Sequence, residues 1–179
     1  MTTTQTAQHR LFYALWPDTA VAEKLQAWQG PISGRKTHLA DFHLTLAFLG
    51  EQQATMLPDL EAVLPLLPRQ RLDCVLDTYG HFECLNLVWA GMNAPPPGLF
   101  DLQHALRLLL LERGVLLPPE RAFRPHITLA RKARLDVGLT VSPVPWHARS
   151  VVLARSGGGE AGGPRYQVLA STDICGSKG

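Results

Sequence analysis

The sequence contains one four-residue pattern twice, His-apolar-Thr-Leu, at residues 43–46 and again at residues 126–129. Both copies lie in apolar stretches that are typical of β-strands. Because successive side chains of a strand point to opposite faces, the His and Thr of each copy share one face. Buried imidazoles are costly unless they are partnered, so packing alone does not explain two such copies. The pattern therefore favours a fold in which two strands turn their polar faces into one shared volume.

The elements that precede the two copies occur in the same order. The first copy follows a predicted strand at 11–16 and a helix that begins after Asp18 and ends at Gly30. The second copy follows a predicted strand at 85–92 and a helix at 98–113 with leucines at helical spacing. This repeated strand–helix–strand order indicates an internal duplication and predicts two lobes around a central cleft. The other predicted elements are a helix at 55–67, a strand at 71–78 joined to the strand at 85–92 around Gly80, and a closing hairpin of strands at 149–155 and 165–171.

The length of 179 residues suits one domain at 1–179, with polar tails at about 1–9 and about 175–179. A doubly wound sheet is the alternative architecture, but it would need more helices than the sequence predicts. The sequence leaves the oligomeric state open, and a monomer is the default expectation.

Composition excludes several classes of protein. Cys74, Cys84 and Cys175 show no spacing of a disulfide framework or a thiolate zinc site, which fits a reducing cytoplasm. The N-terminus is polar, without the apolar core of a signal peptide, and no apolar run reaches membrane-spanning length. We therefore expect a cytoplasmic protein. Thirteen of the 17 basic residues are arginines, which suit phosphate oxygens, although a GC-rich genome explains that bias equally well.

The paired residues are suited to acid–base chemistry at a phosphate ester. One imidazole can accept a proton while the other donates one, and threonine hydroxyls can stabilise oxygens that gain charge. A metal site would need a third ligand, which neither copy has at coordinating spacing. We expect neither a metal ion nor a cofactor. Arg131 lies three residues after Thr128, so a regular strand would face it away from the site. A twist or a bulge at the strand end would bring its guanidinium back.

At these residues the chain resembles the two-histidine phosphoesterase superfamily, whose hallmark is a pair of His-x-Thr/Ser-x motifs. The segments RLFYAL, HLTLAFLG and RPHITLAR look like those of the bacterial RNA 2',3'-cyclic phosphodiesterases, also called 2'-5' RNA ligases. This resemblance covers nearly the whole chain. It implies an α+β fold of two pseudo-symmetric lobes of antiparallel sheet, flanked by helices, with the active-site groove between them.

The resemblance also implies a metal-independent reaction that opens a 2',3'-cyclic phosphate, on an RNA end or a small cyclic nucleotide, to a 2'-phosphate. Run in reverse with a 5'-hydroxyl, the same chemistry would join RNA ends without ATP. No obligate protein partner is implied, and the glycine-rich segment at 157–163 receives no role. The implied site comprises His43 as proton donor, His126 as proton acceptor, and Thr45, Thr128, Arg131, Phe48 and Tyr166 as substrate-binding residues.

A second hypothesis is a non-catalytic module that binds an AMP-like nucleotide in the same groove. Binding alone does not require two titrating groups, so the two histidines favour the enzyme.

Overall fold

The computed structural model describes residues 7–119, 122–135, 140–157 and 162–175. It has the predicted α+β architecture, with antiparallel strands and few helices. The strands are β1 (Gln8–Leu15), β2 (Arg35–Lys36), β3 (Leu44–Gln53), β4 (Leu72–Leu76), β5 (Thr78–Phe82), β6 (Leu87–Gly91), β7 (His126–Arg131), β8 (Val144–Ala148), β9 (Ser150–Ser156) and β10 (Tyr166–Asp173). The helices are α1 (Thr19–Trp28), α2 (Leu57–Glu61) and α3 (Pro97–Glu112).

Eight of the strands form one sheet, in the order β10-β9-β1-β3-β7-β6-β5 with β2 paired to β7, while β4 and β8 form a separate pair. The two predicted strand–helix–strand units are present, because β1 pairs with β3 and β6 pairs with β7. The two halves are continuous rather than separate sheets. They meet where β3 and β7 share a single pair of residues, Leu44 and Ile127.

The two faces of this sheet have different surroundings. On β1, Leu11, Tyr13 and Leu15 belong to the main core, whereas Phe12 and Ala14 face the opposite side. The helices pack on the core side in a crossed arrangement. Helix α3 contacts β3, the motif strand of the first half, and α1 contacts β7, the motif strand of the second half. Each helix therefore supports the motif strand of the other half.

Local sequence signals explain the ends of the two long helices. The Asp18 carboxylate caps α1 by accepting a hydrogen bond from the Val21 amide at 2.9 Å, as the sequence predicts. Helix α3 begins with Pro97 in its first turn, where a missing amide proton costs nothing. It buries four leucines at helical spacing: Leu99, Leu102, Leu106 and Leu110.

Four predicted elements differ from the structure. The stretch 71–78 is not one strand, because Asp77 separates β4 from β5, which belong to different sheets. Gly80 lies inside β5, and the chain turns instead at Asn86, which adopts a left-handed φ of 46°. Helix α2 is much shorter than 55–67, because Pro58 and Pro65 limit regular helix there. The N-terminal tail is shorter than 1–9, since Gln8 already pairs in β1.

The sequence analysis did not predict β2 and β8. Strand β8 contains Pro145, which argues against a strand, but it pairs only with β4 in a two-stranded sheet. Among the described residues, no helix is long and apolar enough to cross a membrane.

The packing of α3 gives a test of the core. We expect Leu106→Ala to lower the free energy of unfolding by about 2–5 kcal/mol, because it leaves a cavity at a fully buried position. Leu108→Ala is the matched control on the same helix, since Leu108 is 48% exposed, and it should cost less than about 1 kcal/mol. Urea denaturation of both variants measures the difference. Equal losses would contradict the assigned orientation of α3.

Candidate active site

Both motif histidines are held in the same way by the backbone. The Nδ1 atom of His43 lies 2.7 Å from the carbonyl oxygen of Asp41, and Nδ1 of His126 lies 2.6 Å from that of Arg124. Because a carbonyl only accepts, Nδ1 carries the proton in each bond. The basic Nε2 atom of each neutral ring is left for proton transfer. Both copies of the motif therefore hold the imidazole in the same tautomer and by the same kind of backbone hydrogen bond.

Each motif strand also has a β-bulge at the fourth residue of the motif. The pairing of β6 with β7 shifts register at Leu129, and that of β1 with β3 shifts at Leu46. A bulge inserts one extra residue and so changes the face to which later side chains point. Arg131 in one copy and Phe48 in the other consequently lie on the same side as the motif threonines, where both line one cavity. The sequence analysis expected a twist or a bulge to turn Arg131 back to the site, and the structure has the bulge.

Two glutamines bind the carbonyl groups of the bulged residues. Gln29, which is buried, donates from Nε2 to the carbonyl oxygens of Leu129 and Thr37, both at 2.8 Å. Gln103 donates from Nε2 to the carbonyl of Leu46 at 3.4 Å. Gln29 follows α1 and Gln103 lies on α3, so each amide comes from the helix of the opposite half. The sequence analysis missed both, because a glutamine beside an apolar helix face carries no recognisable signal.

A cavity of about 980 Å³ brings most of the predicted site together. His126 is not part of its lining. It lies beside the cavity, two residues before Thr128 on the same face of β7, and its charge influences the pKa of His43. The six predicted residues that line the cavity are His43, Thr45, Phe48, Thr128, Arg131 and Tyr166.

Aromatic rings surround both imidazoles, which are half-buried. The sequence analysis predicted only Tyr166 of this set. The alternation of the strand at 11–16 was the signal that could have placed Phe12 on the polar face. The ring centroids lie 4.8 Å (Phe12), 5.3 Å (Trp16) and 4.9 Å (Tyr166) from His43, and 5.0 Å (Phe82) and 6.0 Å (Trp89) from His126.

This enclosure lowers the pKa of both histidines. Burial lowers the pKa of His43 from 6.5 to about 4, and the nearby positive charges of Arg131 and His126 act in the same direction. The hydrogen bond to the Asp41 carbonyl and the charge of the Asp41 carboxylate act against this change. The pKa of His126 is also lowered, mainly by burial and further by Arg131. Both imidazoles are therefore neutral in the free protein at pH 7.

Asp41 joins two parts of the site. Its carbonyl holds His43, and its buried carboxylate accepts hydrogen bonds from the backbone amides of Arg165, at 2.8 and 3.0 Å, and Tyr166, at 3.2 Å. The carboxylate thereby fixes the start of β10 and places the Tyr166 ring edge-on against His43. Gly157, Gly162 and Gly163 also line the cavity, while residues 158–161 of the glycine-rich segment lie outside the described residues.

Within the described parts of the chain, no three His, Cys, Asp or Glu side chains are grouped so that they could hold a metal ion. Two other histidines have partners of their own, although His38 also lines the cavity. His38 accepts from the Ala40 amide at a short 3₁₀ turn, and His147 pairs with Asp73 on the β4–β8 sheet.

The two His-x-Thr strands and their shared groove define a phosphoesterase of the two-histidine type. A family model described as LigT-like phosphoesterase matches residues 15–84, which include the first motif. The chain is 34% identical to the RNA 2',3'-cyclic phosphodiesterase of Escherichia coli over 138 residues, which cover 75% of this chain and 77% of that protein. This chain belongs to the LigT-like phosphoesterase family.

Two further comparisons extend over nearly the whole chain. The RNA 2',3'-cyclic phosphodiesterase of Thermus thermophilus is 34% identical, with 95% of this chain and 92% of that protein covered. The crystal structure of E. coli LigT complexed with 3'-AMP superposes with a TM-score of 0.80 at 30% identity, covering 93% of this chain and 98% of that chain. The family resemblance and the fold class predicted from the sequence are both confirmed.

The contact between Gln29 and the bulge can be tested by substitution. Gln29→Met removes both amide hydrogen bonds and leaves the carbonyls of Leu129 and Thr37 without that donor, so we expect a loss of about 1–3 kcal/mol in unfolding free energy. Hydrogen exchange at the Thr37 amide, which donates to Leu129, should become faster. Gln26→Met is the control, because Gln26 is an exposed residue three positions earlier, in α1. Similar behaviour of the two variants would contradict the role of Gln29.

Proposed function

We propose that this protein hydrolyses the 2',3'-cyclic phosphate of an RNA end or a small cyclic nucleotide to a 2'-phosphate, without a metal ion. The observation that carries the proposal is the pair of imidazoles, each with its Nδ1 bound to a carbonyl and its Nε2 left for proton transfer. The names of the relatives support the same reaction. A module that only binds an AMP-like nucleotide would not need this duplicated arrangement of proton-transfer groups.

The reaction follows from the residue chemistry. The Nε2 atom of His126 accepts a proton from water as the water oxygen attacks phosphorus. The bond from phosphorus to the 3'-oxygen breaks, and His43 donates a proton from Nε2 to that leaving oxygen. The phosphate stays on the 2'-oxygen. His126 ends the step protonated and His43 ends it neutral, so proton exchange with solvent restores the starting state.

The remaining groups of the site stabilise and orient the phosphate. The hydroxyls of Thr45 and Thr128 donate hydrogen bonds to the non-bridging oxygens, whose charge grows in the transition state. Arg131 adds a positive charge next to them. Phe48, which is 39% exposed and lines the cavity, stacks on the base, and Tyr166 forms the wall beside His43.

Ligation uses the same groups. A 5'-hydroxyl in place of water would attack the cyclic phosphate and form a 2'-5' linkage without ATP. Hydrolysis should dominate, because water is far more abundant than RNA ends.

Removal of either imidazole tests the proposed roles. We expect His43→Ala and His126→Ala each to lower kcat on a 2',3'-cyclic-phosphate-ended oligonucleotide by about 10²- to 10⁴-fold, the usual contribution of a general acid or base. His104→Ala, a change of the same type at an exposed position on α3, should leave kcat within about twofold. The assay contains EDTA, and the product's phosphate position is mapped. Full activity of either site variant, dependence on added metal, or a 3'-phosphate product would contradict the proposal.

The lowered pKa values predict an unusual pH dependence. The free enzyme must hold a proton on His43, whose pKa is about 4, and none on His126, whose pKa is below 6.5. We therefore expect kcat/KM to follow a bell with its maximum below pH 6.5 and to fall toward neutral pH.

Bound phosphate should change this profile. An anion beside the imidazolium raises its pKa, so the bell for kcat should lie at higher pH than the bell for kcat/KM. Rates measured from pH 4 to 9 at constant ionic strength provide both curves. If the two curves coincide, the bound phosphate does not raise the pKa of the proton donor, and the proposed position of the phosphate beside His43 is wrong.

A further inference from the structure

Two aromatic side chains, Phe82 and Trp89, contact the imidazole of His126, and the proposed function gives neither of them a role. Phe82 lies edge-on to the imidazole, with ring centroids 5.0 Å apart, and the Trp89 ring lies 6.0 Å away with its plane tilted by 55°. The two aromatic rings also contact each other, with centroids 5.3 Å apart. The three rings therefore form one cluster, in which each ring limits the movement of the other two.

Strand pairing places Trp89 beside the second motif. In the pairing of β6 with β7, Trp89 lies directly opposite Thr128, and Gly91 lies directly opposite His126. On the other side of β6, Gly80 of β5 lies opposite Trp89. Because residues directly opposite each other in a sheet share a face, the indole lies on the face that carries the motif side chains.

Two glycines leave the space that the indole occupies. A Cβ at Gly80 would overlap with Cζ2 of Trp89, and a Cβ at Gly91 would overlap with Cζ3. Neither glycine has a positive φ, so the backbone at both positions would accept other residues. The absence of a side chain, rather than the backbone conformation, is therefore what the structure needs at these two positions.

The polar atom of Trp89 does not explain why an indole lies there. Its Nε1 atom is buried and has no hydrogen-bond partner among the described residues. An unpaired buried donor lowers stability, so packing alone would favour an apolar side chain at this position. The indole is, however, wide enough to contact Gly80, Gly91 and the ring of His126 at once.

We propose that Trp89 is a positioning residue for His126 and that Gly80 and Gly91 provide its seat. The proposal rests on the function proposed above, in which Nε2 of His126 takes a proton from the attacking water. The hydrogen bond from Nδ1 to the Arg124 carbonyl fixes one atom of the imidazole, but the torsion that sets the ring plane has a broad range in histidine. Contact with the indole fixes that plane and so directs Nε2 at the water.

The surroundings of His126 provide a second measurement. Burial lowers the pKa of His126, the charge of Arg131 acts in the same direction, and the hydrogen bond to the Arg124 carbonyl acts against them. The charges of His126 and His43 also influence each other. Removal of the uncharged indole leaves these charged groups in place but lets water reach the imidazolium. The pKa of His126 should therefore rise toward 6.5.

The test uses Trp89→Leu, which removes the indole and its unpaired donor but keeps an apolar side chain. We expect kcat on a 2',3'-cyclic-phosphate-ended oligonucleotide to fall by about 10- to 100-fold with KM within about threefold, because a misdirected base slows the chemical step without removing a substrate contact. The titration of the His126 imidazole, followed by proton NMR and assigned with His126→Ala, should move toward pH 6.5. The matched control is Trp146→Leu, since Trp146 is fully buried in β8. This control should lower the urea midpoint of unfolding at least as much as Trp89→Leu, yet leave kcat and the His126 titration unchanged.

A double-mutant cycle tests the seat of the indole. Gly91→Ala displaces the Trp89 ring, so we expect it to lower kcat by about tenfold in the unmodified background. In the Trp89→Leu background the added methyl group meets no indole, and Gly91→Ala should change kcat by less than about twofold.

An unchanged kcat or an unchanged His126 titration in Trp89→Leu would overturn the proposal. An equal loss of kcat in Trp146→Leu, or a Gly91→Ala effect of the same size in both backgrounds, would overturn it too. The NMR titration needs no turnover. If the unmodified protein does not hydrolyse the oligonucleotide, the function proposed above fails, whereas the titration separately shows whether Trp89 holds His126.

Discussion

The site depends on one repeated interaction, in which a glutamine amide binds the carbonyl of a bulged residue in each motif strand. A regular strand would turn the side chain three residues after each motif threonine away from the groove. The bulges at Leu46 and Leu129 return Phe48 and Arg131 to it. Since each glutamine is supplied by the helix of the opposite half, neither half can form its part of the site without the other. This crossed support explains why the halves share one core and one sheet.

The two motif histidines have the same backbone anchoring but different side-chain neighbours. Their anchoring is the same, a bond from Nδ1 to the carbonyl two residues earlier. Their neighbours differ, because three aromatic rings surround His43 and two surround His126. Burial disfavours the charged imidazolium, which brings the pKa of His43 to about 4. In the proposed reaction, a proton donor with so low a pKa is a strong acid toward the leaving oxygen once a bound anion helps it to hold its proton.

The sequence predicts the motif strands, the helix that follows Asp18 and the long helix at 98–113, because hydrophobic periodicity and capping residues are local signals. It also predicts that the His and the Thr of each motif share one face, since side chains alternate along a strand. From the sequence, a bulge was only one way in which Arg131 could reach the site. Its signal is the pair of successive apolar residues Leu129 and Ala130, which are both buried and so interrupt the alternation. Contacts between distant segments have no such local signal. The amide of Gln29 and the carboxylate of Asp41 act across 100 and 124 residues of chain, and only the folded arrangement shows their partners.

Phe48 and Arg131 occupy equivalent positions in the two copies. Because one side chain is aromatic and the other is cationic, the two walls of the groove differ. A groove with true twofold symmetry would accept an anionic end in either of two orientations, and each histidine would then serve equally as acid or base. Here one wall presents an aromatic ring with Arg10 5.1 Å from its centroid, while the other presents Arg131 opposite Arg35. Under the proposed function, a base stacks on the first wall and the phosphate binds at the second. Because only one orientation satisfies both contacts, the proposed function gives the two histidines a single order of action, although the backbone holds them alike.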